Sequence, residues 1–257
     1  MEQKYIKAFE LEYERDKLAK NNLLIELVDT YRKGIPEIPN LNFGNKWDEL
    51  NRVNIDKFTN PMAYHRINIA HDFIPFDKYR HKLLDIGFGQ GALEEKLHKS
   101  NKCSELWGID ISKKSVSDKK IKYPKWKFII GDITKVNLPK NYFDYIVVLE
   151  VLEHINPSKI LTVLSKIHAS LKDGGHIIIS VPLNEGLEEM ISKGINTNAH
   201  VRAYTSNIVK SELKITEYKI EKSIDLYAFH SLYWLKSIFA KYFFKKPNNI
   251  ILFAQKI

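Results

Sequence analysis

Apolar and polar positions along the chain follow two rhythms that meet near residue 80. Before that point the spacing is helical. "NPMAYHRINIAHDFIPF" (60–76) repeats Ile67, Ala70, Phe73 and Ile74 at helical intervals and opens on Asn-Pro, which predicts a helix. After it, short apolar runs rich in β-branched residues recur: "HKLLDIGF" (81–88), "ELWGIDI" (105–111), "WKFIIGD" (126–132), "FDYIVVLE" (143–150) and "GHIIISVP" (175–182). Helix-compatible segments such as "ALEEKLHKS" and "SKILTVLSKIHASLK" lie between most of them. Wholly apolar strands alternating with helices predict a parallel sheet covered on both faces, an α/β fold. "EYKIEKSIDLY" (217–227) and "NIILFAQK" (249–256) read as two further strands without a full crossover helix, and so as an antiparallel pair.

Residues 1–59 have a different character. Their composition is helical, but Gly34, Pro36 and Pro39 break up the looser stretch "GIPEIPNLNFGNKWDELN" (34–51). The expected organisation is a helical N-terminal extension over 1–59 and one domain over 60–257. At 257 residues and 44% hydrophobic content, one sizeable core needs no staples, and the single Cys103 excludes an internal disulfide framework. A charged N-terminus and the lack of any span-length apolar run predict a soluble, cytoplasmic chain. The formal charge of +9, from 40 Lys and Arg against 31 Asp and Glu, is compatible with a polyanionic partner. The lysines are spread along the chain, however, so the charge singles out no groove.

The chemistry gathers where strands end. The first strand runs into "DIGFGQGA", with Asp85 before Gly87, Gly89 and Gly91. Such glycines permit a tight turn and close approach of a ligand, at the edge where α/β sheets bind one. Asp110 ends the second strand and Asp132 the third. The glycine pattern alone equally satisfies a dinucleotide fingerprint, with Asp110 as its ribose acid. Asp85, Asp132 and the antiparallel finish of the sheet point elsewhere. "LLDIGFGQG", "GIDIS", "IIGDI", "FDYIVVLEVLEH" and "LKDGGHIIISVP", in this order and spacing, resemble the class I S-adenosylmethionine-dependent methyltransferases from about residue 60 onward.

That resemblance implies a Rossmann-like, seven-stranded, mostly parallel sheet with helices on both faces. It implies that Asp85 and the loop Gly87, Phe88, Gly89, Gln90 and Gly91 cradle the methionine part of S-adenosylmethionine. Asp110, with Ile111 beside it, would hold the ribose, Asp132 and Ile133 would frame the adenine, and Leu149 would lie close to the cofactor. Arg66 or His71 would reach its carboxylate, since "HRIN" (65–68) resembles the ubiquinone-pathway O-methyltransferases.

Glu150, Glu153 and His154 lie within five residues at the end of the fourth strand, and His200 follows in the long 183–203 segment, an expected active-site loop. This E-x-x-E-H with a later histidine is similar to two metal-using methyltransferase groups: the ubiquinone-pathway enzymes and small-RNA 2′-O-methyltransferases. Two carboxylates and imidazoles suit Mg²⁺ or another divalent ion, with Glu150, Glu153, His154 and His200 as its ligands. Metal-free relatives carry a similar stretch, in which Glu153 would face water. His154, Glu150 and His200 would then be base and substrate anchors. The expected function is O-methylation of a small-molecule acceptor such as a sugar, quinone or phenol. The alternatives are metal-assisted RNA 2′-O-methylation and a non-catalytic cofactor-binding subunit. Last, the insert 228–247 repeats Leu232, Leu235, Phe239, Tyr242 and Phe243 at helical spacing beside four lysines. That pattern suits either a buried lid or dimer helix, or a peripheral membrane contact.

Overall fold

In the computed structural model, residues 42–53, 61–77, 80–195, 197–229, 232–243 and 246–257 are described. The central strand β1 (His81–Ile86) pairs in parallel with β2 (Cys103–Asp110) on one side and β4 (Phe143–Leu149) on the other. β3 (Lys127–Ile130) extends the sheet beyond β2, and β5 (Leu171–Pro182) lies parallel to β4. β7 (Asn249–Lys256) runs antiparallel between β5 and β6 (Tyr218–Leu226), which completes the order β3-β2-β1-β4-β5-β7-β6. The sheet therefore has seven strands and finishes in the expected antiparallel pair.

Alternation along the strands divides the core into two layers. Leu84, Ile86, Ile146 and Val148 face α5 (Ile160–Ser170) and α7 (Ser206–Ile215) through Val163, Ile167 and Val209. Leu83, Val147, Leu106 and Ile178 face the opposite way, onto α2 (Pro61–Phe73) and α3 (Ala92–Ser100) through Ala70, Leu93 and Leu97. Because the order reverses between β1 and β4, the crevice for a ligand opens where these two strands end.

Two local expectations change. β5 begins at Leu171, four residues ahead of "GHIIISVP", with Gly174 adopting φ +72 inside it. The end of the loose stretch 34–51 is helical: α1 spans Gly44–Val53, beyond the prolines that suggested irregular chain. Residues 1–41 and 54–60, which hold most of the predicted extension, lie outside the described residues. After β4, the segment Leu152–His154 forms one 3₁₀ turn ahead of α5, and α4 (Lys113–Lys122) follows β2. The 183–203 segment contains a short helix, α6 (Leu187–Ser192), and α8 (Tyr233–Phe243) connects β6 to β7.

A fully buried ion pair fixes the end of the 183–203 segment. Arg202 and Glu212 are 1% and 0% exposed, with Nη1 and Oε1 2.6 Å apart, and the guanidinium also lies 4.7 Å from the Tyr204 ring. Removing one member of such a pair takes from the other a counter-charge that it holds in low dielectric. Glu212→Ala should therefore cost roughly 3–5 kcal/mol of unfolding free energy. Denaturant titration tests this, and a loss no larger than that of a surface substitution would refute it.

Candidate active site

The turn after β1 is built by backbone geometry that glycine supplies. Gly87, at φ +74, donates its N–H to the Ile109 carbonyl at 2.7 Å, and a β-carbon there would collide with Val151 Cγ2. Gly89, at φ +53, donates to Asp110 Oδ2 at 2.8 Å, while a β-carbon at 89 would meet no atom within 4 Å. Open space over Gly89, beside the carboxylate ending β2, fits a ligand that lies along the loop. The other oxygen of Asp110 accepts from the Ser112 N–H at 2.8 Å, and burial raises the pKa of this carboxyl. Phe88 turns into the core against Phe128, at 5.3 Å between ring centroids, whereas Gln90 is exposed. Asp132 caps its own turn by accepting from the Thr134 N–H, and Ile133 is buried behind it.

Asp85 is buried beside Glu94 of α3, which the sequence presented as an ordinary helical acid. Burial, and then Glu94, pushes Asp85 well above the carboxylate range, while burial raises Glu94 to about 7. The pair thus keeps protons beneath the glycine loop that exposed carboxyls would release.

Beyond β4 the chain turns sharply. Glu150 adopts φ +54, and its carboxylate is held on both oxygens. Oε2 pairs with Arg66 Nη1 at 3.1 Å, and Oε1 accepts from Ser180 Oγ and Asn249 Nδ2, each at 2.9 Å. Glu150 and Arg66 are therefore engaged with each other, and Leu149 is half-buried just before them. His71 lies in the last turn of α2, its Nε2 2.9 Å from Ser100 Oγ at the end of α3.

Glu153, His154 and His200 come together instead, with one ligand atom from each within 4.8 Å of the others. Glu153 does not face water: it is 0% exposed, and neither carboxylate oxygen has a hydrogen-bond partner. Burial, and then the Glu150 charge, raises its pKa far above the usual range. His154 Nδ1 lies 3.1 Å from the Ala199 carbonyl, which can only accept, so Nδ1 carries the proton and Nε2 is bare. Nε2 is 3.9 Å from Glu153 Oε1. Burial, helped by neighbouring His200, lowers the His154 pKa to about 3, so this ring is neutral. His200 Nδ1 lies 2.8 Å from Glu185 Oε2, which likewise frees its Nε2. The loop bearing His200 holds Asn198 and Ala199 at φ +55 and +63, and Val201 donates to the Glu153 carbonyl at 2.9 Å. A non-glycine residue in this region costs about 1–3 kcal/mol, which the surrounding contacts must offset.

Helix α1 crosses this edge of the sheet. Gly44 rests on the Ile111 carbonyl, closely enough that a β-carbon would lie 2.6 Å from it. Asp48 Oδ1 accepts from Ser112 Oγ at 2.5 Å, and the Trp47 ring stands edge-on to His154 at 4.8 Å. Asn42 Nδ2 donates to the same Ala199 carbonyl that holds His154, at 2.9 Å. The sequence reading missed Trp47, Asp48, Glu94, Glu185, Ser180 and Asn249. Only "GNKWDELN", an amphipathic stretch after the last proline, offered a signal for the first two.

Sheet order, glycine loop and strand-end acids together define a class I S-adenosylmethionine-dependent methyltransferase-like fold, of the Rossmann type. Residues 84–179 match the methyltransferase domain family. Among solved structures, the chain is similar to an S-adenosylmethionine-dependent methyltransferase from Mesorhizobium loti, with 16% identity and a TM-score of 0.58 over 74% of this chain and 98% of that one. It is also similar to the [4+2]-cyclase SpnF, with 17% identity and a TM-score of 0.64 over 87% and 98%. The N-methyltransferase NodS from Bradyrhizobium japonicum gives 17% identity and 0.59 over 81% and 96%. No curated protein matches the sequence significantly. These likenesses establish the fold; they do not single out ubiquinone-pathway enzymes.

The Asp85–Glu94 pair predicts a pH signature. An unfolded chain releases the Glu94 proton near 4.5, whereas the native state keeps it until about 7. Stability from this group is full below the first value and is lost as pH rises through the second. Glu94→Gln stays neutral throughout, so its unfolding free energy should fall less between about pH 5 and about pH 8 than that of the wild type. Denaturant titrations across this range test the point, and parallel profiles would contradict it.

Proposed function

We propose that this chain is an S-adenosylmethionine-dependent methyltransferase that methylates a hydroxyl oxygen of a small-molecule acceptor. What carries the reading is a pair of imidazoles whose Nδ1 atoms are engaged and whose Nε2 atoms are bare. They flank a buried carboxyl without a hydrogen-bond partner, at the end of the strand that borders the glycine loop. The bound cofactor supplies the methyl group on a sulfonium, already activated for in-line displacement. The protein then has to align the acceptor oxygen and take its proton.

The two histidines suit different tasks. His154, with its pKa lowered to about 3, is a poor base near neutrality and acts as a fixed neutral acceptor in the pocket wall. His200 is the base: Glu185 holds its Nδ1–H, sets the tautomer and stabilises the positive ring once Nε2 has taken the acceptor proton. The open face of the glycine loop and Asp110 hold the cofactor, and Trp47 of α1 covers the acceptor site over His154.

Alternatively, the same three residues fit a divalent ion, in which case His200 Nε2 is a ligand and not the base. Glu153, His154 and His200 would hold it, and Glu185 and the Ala199 carbonyl already orient the two rings as outer partners do in metal sites. An ion there would lower the pKa of the acceptor hydroxyl. With Glu150 committed to Arg66, the donor set is two imidazoles and one carboxylate, which favours Mn²⁺, Fe²⁺ or Zn²⁺ over Mg²⁺.

Transfer of labelled methyl groups into a cell extract, separated into lipid, RNA and small-molecule pools, tests the reaction. Label should enter an organic acceptor as a methyl ether; label confined to RNA, or none at all, would overturn the reading. His200→Ala should lower kcat by about 10²–10⁴ with cofactor affinity unchanged, and Glu185→Gln by less. For the metal, the protein is loaded with Mn²⁺, desalted and analysed for bound ion. About one ion should remain per wild-type chain and none in His154→Asn, a ratio set by the single triad. Equal content in both would remove the ion from the proposal.

A further inference from the structure

The helix between β6 and β7 shows the apolar pattern anticipated from the sequence, with that face exposed. Trp234, Leu235, Ile238, Phe239, Tyr242 and Phe243 of α8 are each between 50% and 77% exposed. The inner stripe is narrow. Tyr233 and Ala240 are buried, the Tyr233 hydroxyl lies 3.0 Å from His65 Nδ1 on α2, and the Trp234 ring lies 4.8 Å from the His65 ring. At about 100° per residue, the exposed apolar positions cover roughly half the helix circumference, and Lys236 and Lys241 occupy positions at its two margins. Lys245 and Lys246 follow immediately, and residues 226–257 contain five lysines without one Asp or Glu.

We infer that α8 docks the protein on an anionic lipid surface, lying in the plane of the headgroups with its aromatic face inserted. Trp and Tyr favour that boundary, and lysines at the margins reach the acidic headgroups. The helix has 11 residues, and among the described residues no helix is long and apolar enough to cross a membrane. It can lie on a bilayer but not span one. Charge selects lipid over a second copy of the chain, because a symmetric contact would bring two lysine-rich, acid-free segments together. His65, which anchors α8, is followed directly by Arg66, the partner of Glu150. Docking would therefore set the edge of the proposed acceptor site beside the bilayer.

Flotation of the full chain with vesicles tests this without reference to methyl transfer, so either proposal can fail alone. The protein should rise with phosphatidylcholine vesicles containing phosphatidylglycerol, rise less with phosphatidylcholine alone, and be released by added salt. Substituting Leu235, Phe239 and Phe243 together by Ser should reduce the floated fraction about tenfold, with the thermal transition retained. If that triple variant does not fold, Lys236→Glu with Lys241→Glu leaves the apolar face intact and should abolish the preference for anionic vesicles. A full chain that stays at the bottom with both vesicles overturns the inference, whatever covers the face. Variants that float like the wild type overturn it too, as does a dimer by light scattering that the triple variant dissolves without any flotation.

Discussion

The left-handed turn at Glu150 is the constraint on which the candidate site depends. β4 would continue beyond Leu149 if Glu150 kept extended geometry, and its carboxylate would follow the alternation of the strand. At φ +54 the chain bends out of the sheet instead, and Arg66, Ser180 and Asn249 fix the carboxylate from α2, β5 and β7. One side chain thereby ties a helix and two strands to the end of a third. The bend also puts Val151 against Gly87, so that the same turn shapes the glycine loop, and it carries Glu153 and His154 over the edge of the sheet. A charge-assisted pair with two further donors can hold a backbone conformation that costs about 1–3 kcal/mol.

Around that turn, desolvation governs the electrostatics. Burial is the leading cause of the raised Asp85, Glu94 and Glu153 pKa values and of the lowered His154 value. Each of these groups is driven toward its neutral form, as expected when a charge has no water and no strong counter-charge. Glu150 and His200 each have a partner of complementary chemistry, Arg66 and Glu185 respectively. The end of β4 is thus surrounded by titratable groups that burial drives toward their neutral forms.

Much of the scaffold was readable from the sequence because buried parallel strands are uninterrupted apolar runs and glycine marks their ends. "ALEEKLHKS" coincides with α3 and "NIILFAQK" with β7, and the antiparallel finish follows from the absence of a crossover helix between the last two strands. What escaped detection was pairing at long sequence separation. Nothing near Glu150 announces Arg66, 84 residues earlier, or Asn249, 99 residues later. Glu94 carried no signal of its own, because helical spacing does not reveal a carboxyl waiting across the interface. Prolines at 36 and 39 drew attention away from the helix starting at Gly44. In α8, periodicity located the apolar arc correctly but could not tell whether anything lies against it.

One carbonyl serves two masters. Ala199 O accepts from Asn42 at the start of the crossing segment and from His154 in the pocket, while Trp47 of the same segment touches the His154 ring. Seating of α1 and the tautomer of His154 are consequently linked quantities, and thermodynamic linkage runs equally in both directions. A disturbance of the crossing helix thus reaches the His154 ring through one shared acceptor.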